Sequence, residues 1–286
     1  MSTPRRGGRR AAPSRRRAAR TARVNTGSDL VQRILVAIPA VAIALALIIT
    51  GGAVFAAGMF VLGAICIHEL FLMFGNAHPS RLAGFIGLAG LLVVAQTGDA
   101  SQVLLVAMAC IPLTFLLLLV QPRGGAPGVS VTMLALFWIG LALAHAVLLR
   151  RLPHGEAILI DVLVGTFLGD TGAYLGGRQF GRTRLAPAIS PNKTVEGLVA
   201  GIFIATISVW CAGLYQDWLS GGDALLLGFA VALVAPIGDL FESYLKRDAG
   251  TKDTGTLFGA HGGALDRLDA ALFTVVVGFY VWRALM

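Results

Sequence analysis

The sequence predicts an all-α, polytopic integral membrane protein of about nine transmembrane helices, with eight to ten as the range. Three observations carry this. The mean hydropathy is +0.79. Charged residues make up only 13% of the chain, against roughly 25% in a typical soluble domain. Nine apolar stretches approach the roughly 20 residues that cross a hydrocarbon core of about 30 Å. They cover about 30–50, 53–74, 82–97, 100–120, 129–149, 157–176, 194–215, 223–246 and 267–285. The third is short, which sets the lower end of the range. An ordinary soluble domain is excluded.

Ahead of the first stretch lies a basic tail, residues 1–28, with nine arginines and no acid. Its Arg, Ala, Gly, Ser and Pro have no apolar period and cannot bury enough surface to order, so disorder is expected. It reads as a solvated topology anchor that also touches anionic lipid. Nucleic acid is not an expected partner, because neither aromatics nor a binding motif accompanies the charge. A transit peptide is the third option for an Arg-rich, acid-free leader. Residues 29–150 read as a transmembrane scaffold and 151–286 as the catalytic region.

The first five helices hold little chemistry. His68 and Glu69 lie in the second and His145 in the fifth. A lone histidine there reads as an interhelical hydrogen-bonding group, and Glu69, near a helix end, as a solvated one. Cys66, Cys110 and Cys211 fall inside apolar runs and read as small buried hydrophobes. The sixth helix is different. Its small residues at 165, 169, 172, 173, 176 and 177 allow close helix approach. Asp161 reads as structural. Asp170 is an intramembrane acid that either lines a cavity with Tyr174 or takes a structural partner.

Ser190, Asn192, Lys193 and Thr194 then cluster around a proline turn before the seventh helix. They make a plausible phosphate cradle, since a helix N-terminus and a lysine both supply donors. Thr194 fits an N-cap equally well.

Charge is densest over 239–269. Asp239, Glu242, Ser243 and Lys246 share one helical face, and Asp266 and Asp269 are also spaced i, i+3. Paired carboxylates with lysines suit a Mg²⁺–phosphate site, because hard oxygens hold the metal and cations neutralise the phosphate. Asp239 lies about 10 Å deeper along its helix than Lys246, so a polar face descends from the boundary toward the lipid headgroups. The chain has 20 arginines but three lysines, Lys193, Lys246 and Lys252, all within these two regions. His261, Gly262 and Gly263 precede the last helix, where two glycines let backbone approach a ligand.

Basic residues orient the chain. With the N-terminus inside, 20 of the 23 fall on inner segments and only Arg150, Arg151 and Arg283 outside. Both polar motif loops are then cytoplasmic.

The pattern S243-x-L-K246-R247-x4-K252-D253-x-G255-x2-F258-G259-x-H261-G262-G263-x2-D266-R267-x-D269 resembles the phosphatidate cytidylyltransferases (CDP-diacylglycerol synthases). So do the upstream D170-x-x-A-Y174 and S190-P-x-K193-T194-x-E196-G197. The motifs cover about the last 120 residues; the N-terminal half matches in hydropathy and helix count. Ala264 replaces a larger aliphatic, Gly259-Ala260 stands where Pro-Gly is common, and the arginine tail is outside the family pattern.

The resemblance implies CTP plus phosphatidic acid giving CDP-diacylglycerol and pyrophosphate, with Mg²⁺ and an open question of a second metal ion. It also implies a homodimer in a prokaryotic plasma membrane. On this reading Asp239, Asp266 and Asp269 serve the metal, and Asp239 or Asp266 handles the phosphatidate proton. Lys246 orients the lipid phosphate. Lys193, Lys252, Arg267 and the His261–Gly263 turn hold the triphosphate, with Ser190, Asn192, Thr194, Ser243 and Arg247 around the substrates and Asp170, Tyr174 and Glu242 lining the cavity.

Two rivals remain: a cytidylyltransferase for another lipid phosphate, and an ion-coupled transporter using Asp161, Asp170 and Asp239. The polar groups gather at one face instead of the midplane, and no inverted repeat is evident. No Walker A pattern is present, which disfavours an ATP-driven motor.

Overall fold

A computed structural model describes residues 38–120, 124–255 and 262–286. The chain divides into two compact units, Met1–Ala44 and Leu45–Met286. In the first, residues 38–44 are helical and exposed. The basic tail lies outside the described residues.

Nine helices are present among the described residues. They are α1 (Ile38–Thr50), α2 (Gly52–Met73), α3 (Arg81–Thr97), α4 (Ala100–Val120), α5 (Gly125–Arg151), α6 (Gly155–Phe180), α7 (Val195–Gly213), α8 (Gly221–Asp248) and α9 (Leu265–Leu285). Each corresponds to one apolar stretch of the sequence. Seven of them are long and apolar enough to span a membrane; α1 and α3 are shorter. Their outward faces carry side chains such as Leu105, Phe203 and Val93, each about three-fifths exposed or more. Such continuous apolar surface is what a lipid solvent demands.

Polar side chains mark several helix starts. Ser80 accepts from Ala83 N ahead of α3, and Ser220 from Asp223 N ahead of α8. The α5 helix contains a π-turn at Leu136–Gly140. There Trp138 meets Phe241 of α8 edge to face, with ring centroids 4.9 Å apart. The core runs from Ile67, Leu70 and Leu88 through Leu136 and Ile139 to Ile158 and Leu227, all fully buried.

Close approach brings the C-terminal helices together. The α6 and α7 helices pack along their length, because a Cβ at Gly201 would lie 2.9 Å from the Gly169 carbonyl. At Gly238 of α8 a Cβ would stand 2.5 Å from the carbonyl oxygen of Asp269 on α9. That contact sets Asp239 beside the start of α9. Thr166 and Thr274 join α6 to α9 through a buried 2.8 Å hydrogen bond.

Several sequence expectations resolve here. His145 Nδ1 donates to Leu141 O at 2.7 Å, and its Nε2 accepts from Tyr280 at 3.2 Å, an interhelical bond as expected. Asp161 is buried and accepts from Gln216 Nε2 at 2.9 Å, which fits its structural reading. Cys66 and Cys110 are buried, but Cys211 is exposed, because it sits on the outward face of α7. Glu69 is not solvated: it is 5% exposed, since α9 starts against it. The stretch 181–194 is not wholly loop. It forms an antiparallel hairpin of β1 (Arg184–Ala186) and β2 (Ser190–Thr194), pairing Arg184 with Thr194 and Ala186 with Ser190.

Candidate active site

The site gathers at the end of the bundle where α6, α8 and the hairpin meet. The α8 helix has 28 residues, about 42 Å at 1.5 Å per residue, and so outruns a hydrocarbon core of about 30 Å. Its surplus carries Lys246 and Arg247 past the apolar region. The hairpin is held at both ends. Glu196 accepts from Arg182 N and Thr183 N at 3.0 and 3.1 Å, and Arg247 Nε donates to Ile189 O at the tip, 3.2 Å away.

Between them opens a cavity of about 510 Å³, lined by Asp170 and Tyr174 of α6, Asn192 and Lys193 of the hairpin, and Pro236 and Asp239 of α8. This is within the roughly 300–1,000 Å³ of small-molecule sites. The Lys193 ammonium pairs with the Asp239 carboxylate, both partly exposed to the cavity. Ser190 and Thr194 also border it. The Thr194 hydroxyl, however, accepts from Gly197 N at 3.1 Å and so caps α7.

Next to the cavity lies a second cluster. Lys246 Nζ donates to Glu242 Oε2 at 2.5 Å and to Asp266 Oδ1 at 2.9 Å. Asp266 Oδ2 accepts from Thr254 N at 3.0 Å and Gly263 N at 2.7 Å. Glu242 is 1% exposed, and its Oε1 has no hydrogen-bond partner among the described residues. The charges of Asp170, Asp239 and Asp269 act on one another, and Lys246 acts on Asp269.

The sequence pattern of the cytidylyltransferase family matches residues 31–285. The chain belongs to that family. A phosphatidate cytidylyltransferase of Synechocystis sp. is 32% identical across 87% of this chain and 95% of its own length. One from Bacillus subtilis is 31% identical across 86% and 95%. A third, from Helicobacter pylori, is 46% identical over 121 residues, or 42% of this chain and 44% of that protein. The match to this last relative therefore spans less than half of its length.

For a cytidylyltransferase-family chain, the expected site residues fall into two groups. Asp170, Tyr174, Ser190, Asn192, Lys193, Thr194 and Asp239 surround the cavity. Glu242, Lys246 and Asp266 form the neighbouring ion-paired cluster. Glu242 does not line the cavity, because its carboxyl is turned to Lys246. Among the described residues no three His, Cys, Asp or Glu side chains are placed to hold one ion. Both oxygens of Asp266 are already engaged, by Lys246 and by two backbone amides. Gly262 has a positive φ of 80°, and Asp266 folds back beneath that turn. Ser243 is half-buried; Lys252, Arg247 and Arg267 are exposed. His261 lies outside the described residues.

Sequence reasoning missed two participants. One is Glu196, quoted above only as a motif position, whose role in anchoring the hairpin follows from its place two residues after an N-cap. The other is Glu69, which no local pattern connects to the motif region.

Proposed function

We propose that the protein transfers the cytidylyl group of CTP to phosphatidic acid, giving CDP-diacylglycerol and pyrophosphate. The observation that carries this is the Lys193–Asp239 pair facing a nucleotide-sized cavity beside the Lys246 cluster. The names of the relatives favour the same substrates. An oxygen of the lipid phosphate attacks the α-phosphorus of CTP; the bond from that phosphorus to the bridging oxygen of the β-phosphate breaks, and pyrophosphate leaves. Such phosphoryl transfer is mostly positioning and charge neutralisation.

The chain's own groups divide the work. Lys193 leaves Asp239 to bind the triphosphate, with Asn192 and Ser190 as neighbouring donors. Asp239 is thereby freed toward the cavity. Lys246, fixed by Glu242 and Asp266, faces the lipid phosphate. Lys252, Arg267 and the glycines at 262 and 263 contact the phosphates.

The acids fit a divalent cation by their chemistry. Asp170, Asp239 and Asp269 are hard-oxygen donors that repel one another, with Lys193 on Asp239 and Lys246 acting on Asp269. Mg²⁺ commonly uses one or two carboxylates plus substrate phosphates, so Asp239 and Asp269 would hold it. Bound there, it supplies charge neutralisation on the phosphate oxygens. Asp266 is then a support for Lys246 and not a ligand. The positive-inside count favours a cytoplasmic site, where CTP is available. A homodimer in a prokaryotic plasma membrane is part of this reading.

The test is purified protein in detergent with labelled CTP, phosphatidic acid and Mg²⁺. CDP-diacylglycerol and pyrophosphate should form, and vanish with EDTA or in Asp266→Asn. A folded wild-type protein that makes neither product would sink the reading; other lipid phosphates would then be tried, and flux without CTP would favour a transporter.

A further inference from the structure

The polar group that the mechanism leaves over is Glu69. It lies on α2, in the half of the chain that otherwise reads as scaffold, yet among the described residues its side-chain hydrogen bonds all go to the C-terminal motif. Its Oε1 accepts from Ala264 N at 3.0 Å, and its Oε2 from Leu265 N at 2.9 Å and Thr254 Oγ1 at 3.4 Å. We propose that Glu69 is a positioning residue for the transfer reaction: its buried carboxylate closes the base of the segment joining α8 to α9 and so fixes Asp266 and Lys246. This rests on the cytidylyl-transfer reading.

Three observations converge. First, the N-cap of α9 is Ala264, which has no side-chain cap to offer. The first amides of a helix need acceptors, and the helix dipole favours a negative one. Glu69 supplies both from another helix. Second, both ends of the connecting segment are tied to the same two acids. Thr254 gives its hydroxyl to Glu69 and its N–H to Asp266; Gly263 N binds Asp266 while the next two amides bind Glu69. Third, the space around the carboxylate is full. A Cβ at Gly255 would lie 2.5 Å from Glu69 Oε1, and one at Gly263 2.3 Å from Oε2. Small residues are required there because the acid sits between them.

The consequence runs onward through Asp266. One of its oxygens is held by the clasped backbone and the other by Lys246, which in turn binds Glu242. A shift at the clasp is therefore a shift of the lysine that faces the lipid phosphate. Misplacing a catalytic group by about 1 Å costs about 100-fold in rate.

The experiment compares the full-length wild type with Glu69→Gln in detergent, reading kcat, both KM values and the unfolding temperature. The amide cannot accept from all three donors. The expected result is a fall in kcat of about 10–100-fold per folded molecule, with part of the loss recovered in Glu69→Asp. A helix cap with only a structural role would lower the unfolding temperature and leave kcat within about twofold; that result overturns the proposal. Hydrogen exchange at Thr254, Gly263, Ala264 and Leu265 separates the two failures. It should speed up in Glu69→Gln, and unchanged exchange sinks the clasp whether or not the protein turns over. An inactive wild type with faster exchange in the variant would instead sink the reaction reading and keep the clasp. Should Glu69→Gln not fold, the same readings on Glu69→Asp decide.

Discussion

The two ends of the helix bundle use charge in opposite ways. At the end where α5 and α9 finish, Arg150, Arg151 and Asp161 are tied to fixed protein partners. Arg150 donates to Ile48 O at 2.5 Å, Ile49 O at 3.2 Å and Glu156 at 2.9 Å. Arg151 donates to Ala95 O and Gly98 O at 2.5 and 2.6 Å, closing the end of α3. Asp161 takes the Gln216 amide, and His154 stacks on Trp218 at 4.0 Å, with Trp282 beside it. At the other end, Lys193 and Asp239 pair at an open cavity, and among the described residues Glu242 keeps a buried oxygen without a hydrogen-bond partner. The charges of the first set are satisfied within the fold; those of the second line or adjoin the cavity. Intramembrane acids are therefore better sorted by their partners than by their depth. Asp161 and Asp170 stand on the same helix and belong to different classes.

The contrast can be broken most sharply at Asp239. Asp239→Asn should lower turnover by about 1,000-fold and leave the unfolding temperature near that of wild type, as followed by CDP-diacylglycerol formation and a thermal melt. Normal turnover would remove Asp239 from the chemistry. Next in size, Lys193→Ala should raise the KM for CTP by about 10–100-fold, since a hydrogen bond to a charged group contributes about 1.5–3 kcal/mol. The effect should shrink in an Asp239→Asn background, because the two side chains are in contact. The smallest functional effect belongs to the opposite end. Arg151→Ala should cost about 1.5–3 kcal/mol of stability with unchanged kcat for the folded fraction. A drop in kcat at constant stability would erase the distinction between the two ends.

The helices were readable because bilayer thickness sets the length of each apolar run, and all nine stretches correspond to helices. The cavity was partly readable. The i, i+3 and i, i+4 spacings of α8 anticipate the Glu242–Lys246 pair, and the cluster before α7 anticipates the Lys193 position. What sequence could not give is any contact fixed by helix packing. Glu69 meets Leu265 across 196 residues, and no local period links them. The helix end nearby suggested water instead, when the neighbour there is the start of α9. The same limit explains Asp266. Its spacing from Asp269 is local, but its hydrogen bonds to the amides of Thr254 and Gly263 depend on the backbone turn at Gly262. Arg150 and Arg151 stood apart from the positive-inside count, and their hydrogen bonds supply the reason: they close the ends of other helices.

The accessibility of one sulfur has a practical use. Of three cysteines, Cys66 and Cys110 are buried and Cys211 is exposed. A thiol-reactive dye would therefore mark the unaltered chain at a single point on α7. Subunits associating through that face would shield the sulfur from the reagent. Subunits meeting elsewhere would carry one fluorophore each, and energy transfer between them would gauge their separation in a liposome without engineered cysteines.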